Sequence, residues 1–199
     1  PNLVWKVGGL ASSLRKLSAA TLFSLLQGGG VTPESLMTTA SRLLPVLKSN
    51  LGDDDASTRE LVCSSLASVF KLLPGPLSEE AVHQLYPDLI KCLDDSSDSV
   101  RSAACSALKP FLRAAPPPHF QGTAIEYIVE QLLIHMDDPN RQFQMMVLEV
   151  LMTAIDVDED VVMTQTKAAV SSHRCGELCH LVLQRVNEKT TAKKMLASK

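Results

Sequence analysis

Apolar residues recur in pairs every four positions in four separate stretches of the chain. Counting from Arg59, positions two, three, six, seven, ten and eleven further on are Leu61, Val62, Ser65, Leu66, Val69 and Phe70. The same offsets from Arg101 give Ala103, Ala104, Ala107, Leu108, Phe111 and Leu112, and from Gln144 give Met146, Val147, Val150, Leu151, Ala154 and Ile155. From Arg15 they give Leu17, Ser18, Thr21, Leu22, Leu25 and Leu26, so the four anchors are spaced by 44, 42 and 43 residues. Such pairing traces one continuous apolar face on an α-helix. It predicts half-buried helices near 10–27, 56–73, 97–113 and 139–155, with a degenerate fifth near 174–187.

A second helical segment precedes three of these, at 33–50, 78–93 and 123–136. Two of them carry an internal proline in the same register, Pro45 and Pro87. Proline removes one helical hydrogen bond and bends the helix, so its recurrence marks a shaped feature. The boundaries are also legible. Thr32–Pro33 reads as a cap followed by proline at the first helical position, and Asp138–Pro139 reads the same way. Ser57 with Glu60, and Thr123 with Glu126, fit the reciprocal capping box. Gly28–Gly30, Pro74–Pro76 and Ala115–Pro118 interrupt the helices. One helix pair alone cannot bury its stripe, so successive pairs stack into a shared core. The expectation is a single array over 1–187 that meets other molecules with its exterior, followed by a flexible basic tail at 188–199.

Composition narrows the class further. Apolar residues make up 45% of the 199, which excludes a disordered chain, while aromatics at 4% argue against a β-sandwich. The net charge of −3 is too mild for a nucleic-acid binder, and no apolar run is long enough for a membrane span. Residues 184–199 carry +4, which leaves −7 on the rest. Five cysteines at irregular spacing fit a reducing compartment, so a cytoplasmic location is expected. The chain opens on Pro1 and is expected to be a piece of a longer protein.

Candidate chemistry is sparse. "HRCGELCH" (His173–His180) holds two cysteines and two histidines, but in one helix Cys175 and Cys179 would lie on a different face from His173 and His180. With no second cluster to complete a tetrahedral site, core packing is the expected role and no metal or cofactor is implied. Gly28–Gly30 lacks the lysine and hydroxyl of a phosphate loop. No nucleophile–base pair is visible, so no enzymatic activity is expected. The aspartates do cluster: Asp53, Asp54 and Asp55; Asp94, Asp95 and Asp98; Asp137 and Asp138. Each group falls in the turn joining the helices of a pair. There the acids cap the following helix and complement its dipole, or they form an acidic ridge for a partner. "DVDEDVVM" (Asp156–Met163) reads as a solvated loop that opens the final pair.

The register prolines, the Asp-rich turn and the Val100–Arg101–Ala104 helix opening resemble the HEAT-repeat family, over about residues 10–187. The resemblance implies an α-solenoid of about four and a half antiparallel helix pairs. It also implies a ladder between repeats built from turn acids and helix-start bases, matched here by Asp53, Arg59, Asp95 and Arg101. At Asp138 the matching base is replaced by Gln144, with Arg141 one turn earlier. Within the family, "GGLASSLRKLSAATLFSLLQGGG" and "CLDDSSDSVRSAACSALKPFLRAAPPPHF" look like members that act in axonemal dynein assembly. That likeness implies a cytoplasmic scaffold whose partners are dynein subunits and other assembly factors. The alternative is a tubulin-binding array of the microtubule-polymerase type. Its turns favour basic and aromatic residues, whereas eight aspartates here would repel acidic tubulin.

Overall fold

A computed structural model of the chain describes residues 2–4, 6–174 and 176–197, and among these every regular element is helical. The chain divides into two compact units between Pro116 and Pro117. The sequence reading drew one array over 1–187. The division falls inside Ala115–Pro118, where three consecutive prolines remove the backbone donors a helix would need to cross.

The first unit contains α1 (Gly9–Gln27), α2 (Pro33–Asn50), α3 (Ala56–Leu72), α4 (Glu79–Lys91) and α5 (Asp98–Arg113). Helix α3 lies between α1 and α5, while α2 packs on α3 and α4 on α5. All six stripe positions of α5 are buried, as are Val62, Ser65, Leu66, Val69 and Phe70 of α3. Phe70 and Phe111 meet across that interface with ring centroids 5.3 Å apart and tilted by 51°. The loop after α3 is fastened by Leu77 N–H donating to the Ala114 carbonyl at 2.7 Å. Pro45 and Pro87 sit inside α2 and α4, and a third internal proline, Pro110, lies inside α5.

Helix α1 departs from its sisters. Leu26 is buried, but Leu17 is 64% and Leu25 48% exposed. The same offsets are buried in α5, and Val69 is buried in α3, where α4 and α2 respectively pack against these helices.

The second unit contains α6 (Thr123–His135), α7 (Arg141–Ala154), α8 (Glu159–Ala169) and α9 (Gly176–Ala197). Helix α6 packs on α7 and α8, and α9 packs on α7 and α8. Leu178, Cys179, Val182 and Val186 form the buried stripe of α9. Cys175, assigned to that stripe from sequence, lies outside the described residues.

Several boundaries differ from the sequence reading. The flexible tail expected from 188 is instead helix, because α9 runs unbroken to Ala197. Glu159–Met163, read as loop, is the start of α8, capped by Asp158, whose side chain accepts from the N–H groups of Asp160 and Val161. The Ser57–Glu60 box does not form, since Asp55 caps α3 and both residues fall inside the helix. Gly122, at φ 74°, precedes α6 in place of a Thr123 cap. Asn140, not Asp138, caps α7. Thr32 does cap α2, with Ser35 completing the box. Asparagine and aspartate side chains reach the third helical N–H as well as serine or threonine can, so several residues compete for one cap.

Candidate functional site

The aspartate turns are built by one recurring device. Asp53 Oδ1 accepts from the Asp55 N–H at 3.0 Å, Asp95 Oδ1 from the Ser97 N–H at 2.9 Å, and Asp138 Oδ1 from the Asn140 N–H at 2.7 Å. Each bond folds the chain from the end of a first helix into the start of a second. The device explains why aspartate stands six residues before Arg59, Arg101 and Gln144.

In the first unit these acids also tie successive pairs together. The Arg15 guanidinium pairs with the Asp53 carboxylate, and both side chains are buried. Arg15 also donates to the Lys6 carbonyl at 2.8 Å. One repeat on, Arg59 grips Asp95 with two parallel bonds, Nε to Oδ2 at 2.6 Å and Nη2 to Oδ1 at 2.8 Å. Its third nitrogen closes its own turn, donating to the Asp53 carbonyl at 2.7 Å and the Asp54 carbonyl at 3.2 Å. Arg59 holds the Asp95 carboxyl below the usual carboxylate range, outweighing burial, which pushes it up. The forked geometry is what a planar guanidinium supplies and an ammonium cannot.

Arg101 donates to the Leu93 carbonyl at 3.1 Å and pairs with Asp98 at 3.1 Å. In the second unit Gln144 keeps the turn-closing half of the arginine role, since its Nε2 donates to the Asp138 carbonyl at 2.6 Å. Arg141 supports it by donating to Gln144 Oε1 at 3.0 Å.

The eight aspartates therefore differ in what they can offer a partner. Asp53 is buried, and Asp55 caps α3 through the Thr58 N–H at 2.8 Å with Lys16 beside it at 3.4 Å. Desolvation pushes the Asp55 carboxyl up, but the Thr58 N–H and Lys16 outweigh it and hold the group low. Asp137 is half-buried, accepting from the Arg174 N–H at 2.8 Å and facing His173 Nδ1 at 3.2 Å. Asp95 and Asp138 are half-buried in their turns. Asp54, Asp94 and Asp98 are the exposed members, all in the first unit.

His173 stands in the loop before α9 rather than in that helix, with Nε2 2.8 Å from the Leu133 carbonyl. His173 is therefore not fixed on one helical face relative to Cys179 and His180. Among the described residues no three histidine, cysteine or carboxylate side chains come together as a metal would require.

Two features went unnoticed in the sequence. Arg15 belongs to the series begun by Arg59, and its position at the anchor of the fourth stripe was the available signal. The acidic run at Asp156–Asp160 and the basic run after Gln184 were read apart, yet they meet. Lys189 donates to the Ile155 carbonyl at 2.7 Å and to Asp156 at 2.8 Å, and Lys193 pairs with Glu159 at 2.7 Å.

Residues 85–115, which span Pro87, the Asp95 turn and all of α5, match the HEAT repeat. The chain is 31% identical to dynein axonemal assembly factor 5 of Homo sapiens over 94% of its own length and 22% of the human protein. It is 26% identical to the Xenopus laevis protein of that name, over 96% of this chain and 23% of the relative. The chain thus spans about a fifth of the length of the curated relatives it matches, in their C-terminal portion. Among solved structures, a designed armadillo repeat protein aligns over 92% of this chain and 79% of its own, with a TM-score of 0.62 at 16% identity. A second, computationally designed for modular peptide recognition, aligns over 94% and 78% with a TM-score of 0.61 at 16% identity. At that identity the likeness concerns the fold, which is the all-α stack of helix pairs of the HEAT and armadillo class. No described helix is long and apolar enough to cross a membrane.

Proposed function

We propose that the chain is a non-enzymatic protein-binding scaffold that assists cytoplasmic preassembly of axonemal dynein arms. Its partners are dynein subunits and other assembly factors. The observation that carries the reading is the similarity to dynein axonemal assembly factor 5 along nearly the whole chain. The architecture supports it: stacked helix pairs bury their apolar stripes against one another and leave their outer faces for clients. On this reading Asp54, Asp94 and Asp98 are the turn acids that meet a partner. Asp53, Asp55, Asp95, Asp137 and Asp138 hold the turns in shape.

Affinity capture from ciliating cells tests this directly, with the chain as bait. Recovery of axonemal dynein chains is expected, and a D54N/D94N/D98N variant, unchanged in melting temperature, should recover less. Recovery of tubulin in place of dynein would reverse the order in favour of a tubulin-binding array. The exposed acids already oppose that alternative, since tubulin is itself strongly acidic.

A further inference from the structure

A groove of about 860 Å³ runs between α6 and α8 in the second unit. Leu133 and Ala169 form its floor, and the small side chains Ala168 and Ser172 leave its α8 side open. On the α6 side Tyr127 and Ile134 stand 41% and 58% exposed. A surface pairing such side chains with an open channel offers apolar anchoring to a partner.

The carboxylates Glu126, Glu130 and Asp137 line the groove, and no lysine or arginine does. Glu126 and Glu130 are exposed one helical turn apart on α6, and neither side chain has an ion pair or hydrogen bond among the described residues. Like charges at that spacing destabilise a helix. Gln165 donates its amide to the Glu126 carbonyl at 3.1 Å, which leaves its Oε1 buried without a donor. Asp137, at the far end, accepts from the Arg174 N–H at 2.8 Å and pairs with the Arg174 guanidinium at 3.5 Å. The groove is rich in acceptors and poor in donors.

We infer that the α6–α8 groove is a docking site for a basic amphipathic helix, with apolar side chains against Tyr127 and Ile134 and lysines or arginines on Glu126 and Glu130. From Thr123 to Asp137 the groove is about 21 Å long, room for roughly four helical turns. A helix laid in an apolar groove is a recurrent recognition mode, with anchors spaced three and four residues apart. The charge pattern selects a basic occupant over an acidic one. The inference holds whichever client the chain serves.

The test uses the whole chain and a fluorescently labelled synthetic helix of leucine and lysine, about fifteen residues long, compared with the same peptide carrying glutamate for lysine. Fluorescence anisotropy should show binding of the lysine peptide alone, weakening as salt rises. In E126Q/E130Q the affinity should fall about tenfold, as two lost rim charges imply. Ile134→Ala should also weaken binding, and the circular dichroism of both variants should match the parent. No binding of the lysine peptide, equal binding of the glutamate peptide, or unchanged affinity in E126Q/E130Q would each overturn the inference. So would sedimentation showing that the chain self-associates and that E126Q/E130Q abolishes it, which would give the groove to a second copy.

Discussion

Arg59 divides its guanidinium between two tasks: it closes its own turn and grips the next repeat's Asp95. A charge-assisted fork of this kind, partly buried, contributes about 1.5–3 kcal/mol. A double-mutant cycle with Arg59→Met and Asp95→Asn should return a coupling energy of that order by urea denaturation at neutral pH. Because the folded-state Asp95 carboxyl is held low, its contribution is complete above the unfolded value of about 4 and is lost as pH falls through the folded one. Repeating the cycle in acid should therefore shrink the coupling; a pH-independent value would mean the pair is not ionised as drawn. A purely apolar residue gives the complementary case. Leu108 is fully buried in α5, and Leu108→Ala should cost about 2–5 kcal/mol through the cavity it leaves.

At the scale of elements, equivalent stripe positions lead different lives. Leu25 in α1 and Val69 in α3 share one offset, yet the first is 48% exposed and the second fully buried. Leu25→Gln should change stability by no more than about 0.5 kcal/mol, in line with surface substitutions. Val69→Ala should be clearly destabilising. Equal costs would mean that α1 is covered as its sisters are. Helix α9 makes a different point. Lys189 satisfies the carbonyl at the end of α7 and meets the helix's negative end, so it anchors a segment that composition alone marks as a loose tail. Lys189→Met should speed amide exchange over the last turns of α9 and leave the buried stripe around Val182 protected.

For the whole molecule, the cysteines report on the cores. Cys63, Cys92, Cys105 and Cys179 are buried. The hydrogen bond with Cys92 and burial together push the Cys63 thiol well above its ordinary range. Burial pushes Cys105 up to about 12. Burial keeps reagent from all four. The thiolate is the reactive form, so the raised thiols of Cys63 and Cys105 are protected twice over. Cys92, held low by the Cys63 hydrogen bond, is protected by burial alone. Alkylation at neutral pH should await the opening of their unit. Peptide-resolved labelling across a urea series should show Cys63, Cys92 and Cys105 becoming reactive together, because they belong to one core in the first unit. Labelling of any one of them in native buffer would count against that core.

Much of this architecture could be read directly from the chain. Apolar spacing near the helical period, repeated about every forty-three residues, requires helices that bury one face. Among the described residues the order of every helix but α8, and their approximate bounds except at the end of α9, followed from local covalent geometry. So did the linkers, because proline and glycine act on the backbone where they stand. What the spacing could not specify was which neighbour each face would meet. The choice of Asp55, Asn140 and Asp158 as caps is a contest between near neighbours, whereas the anchoring of α9 by Lys189 depends on distant residues, 33 and 34 positions away in sequence. So does the division of the aspartates into buried braces and exposed acids. These last two are competitions among chemically similar groups, settled by distances that exist only once the helices have packed.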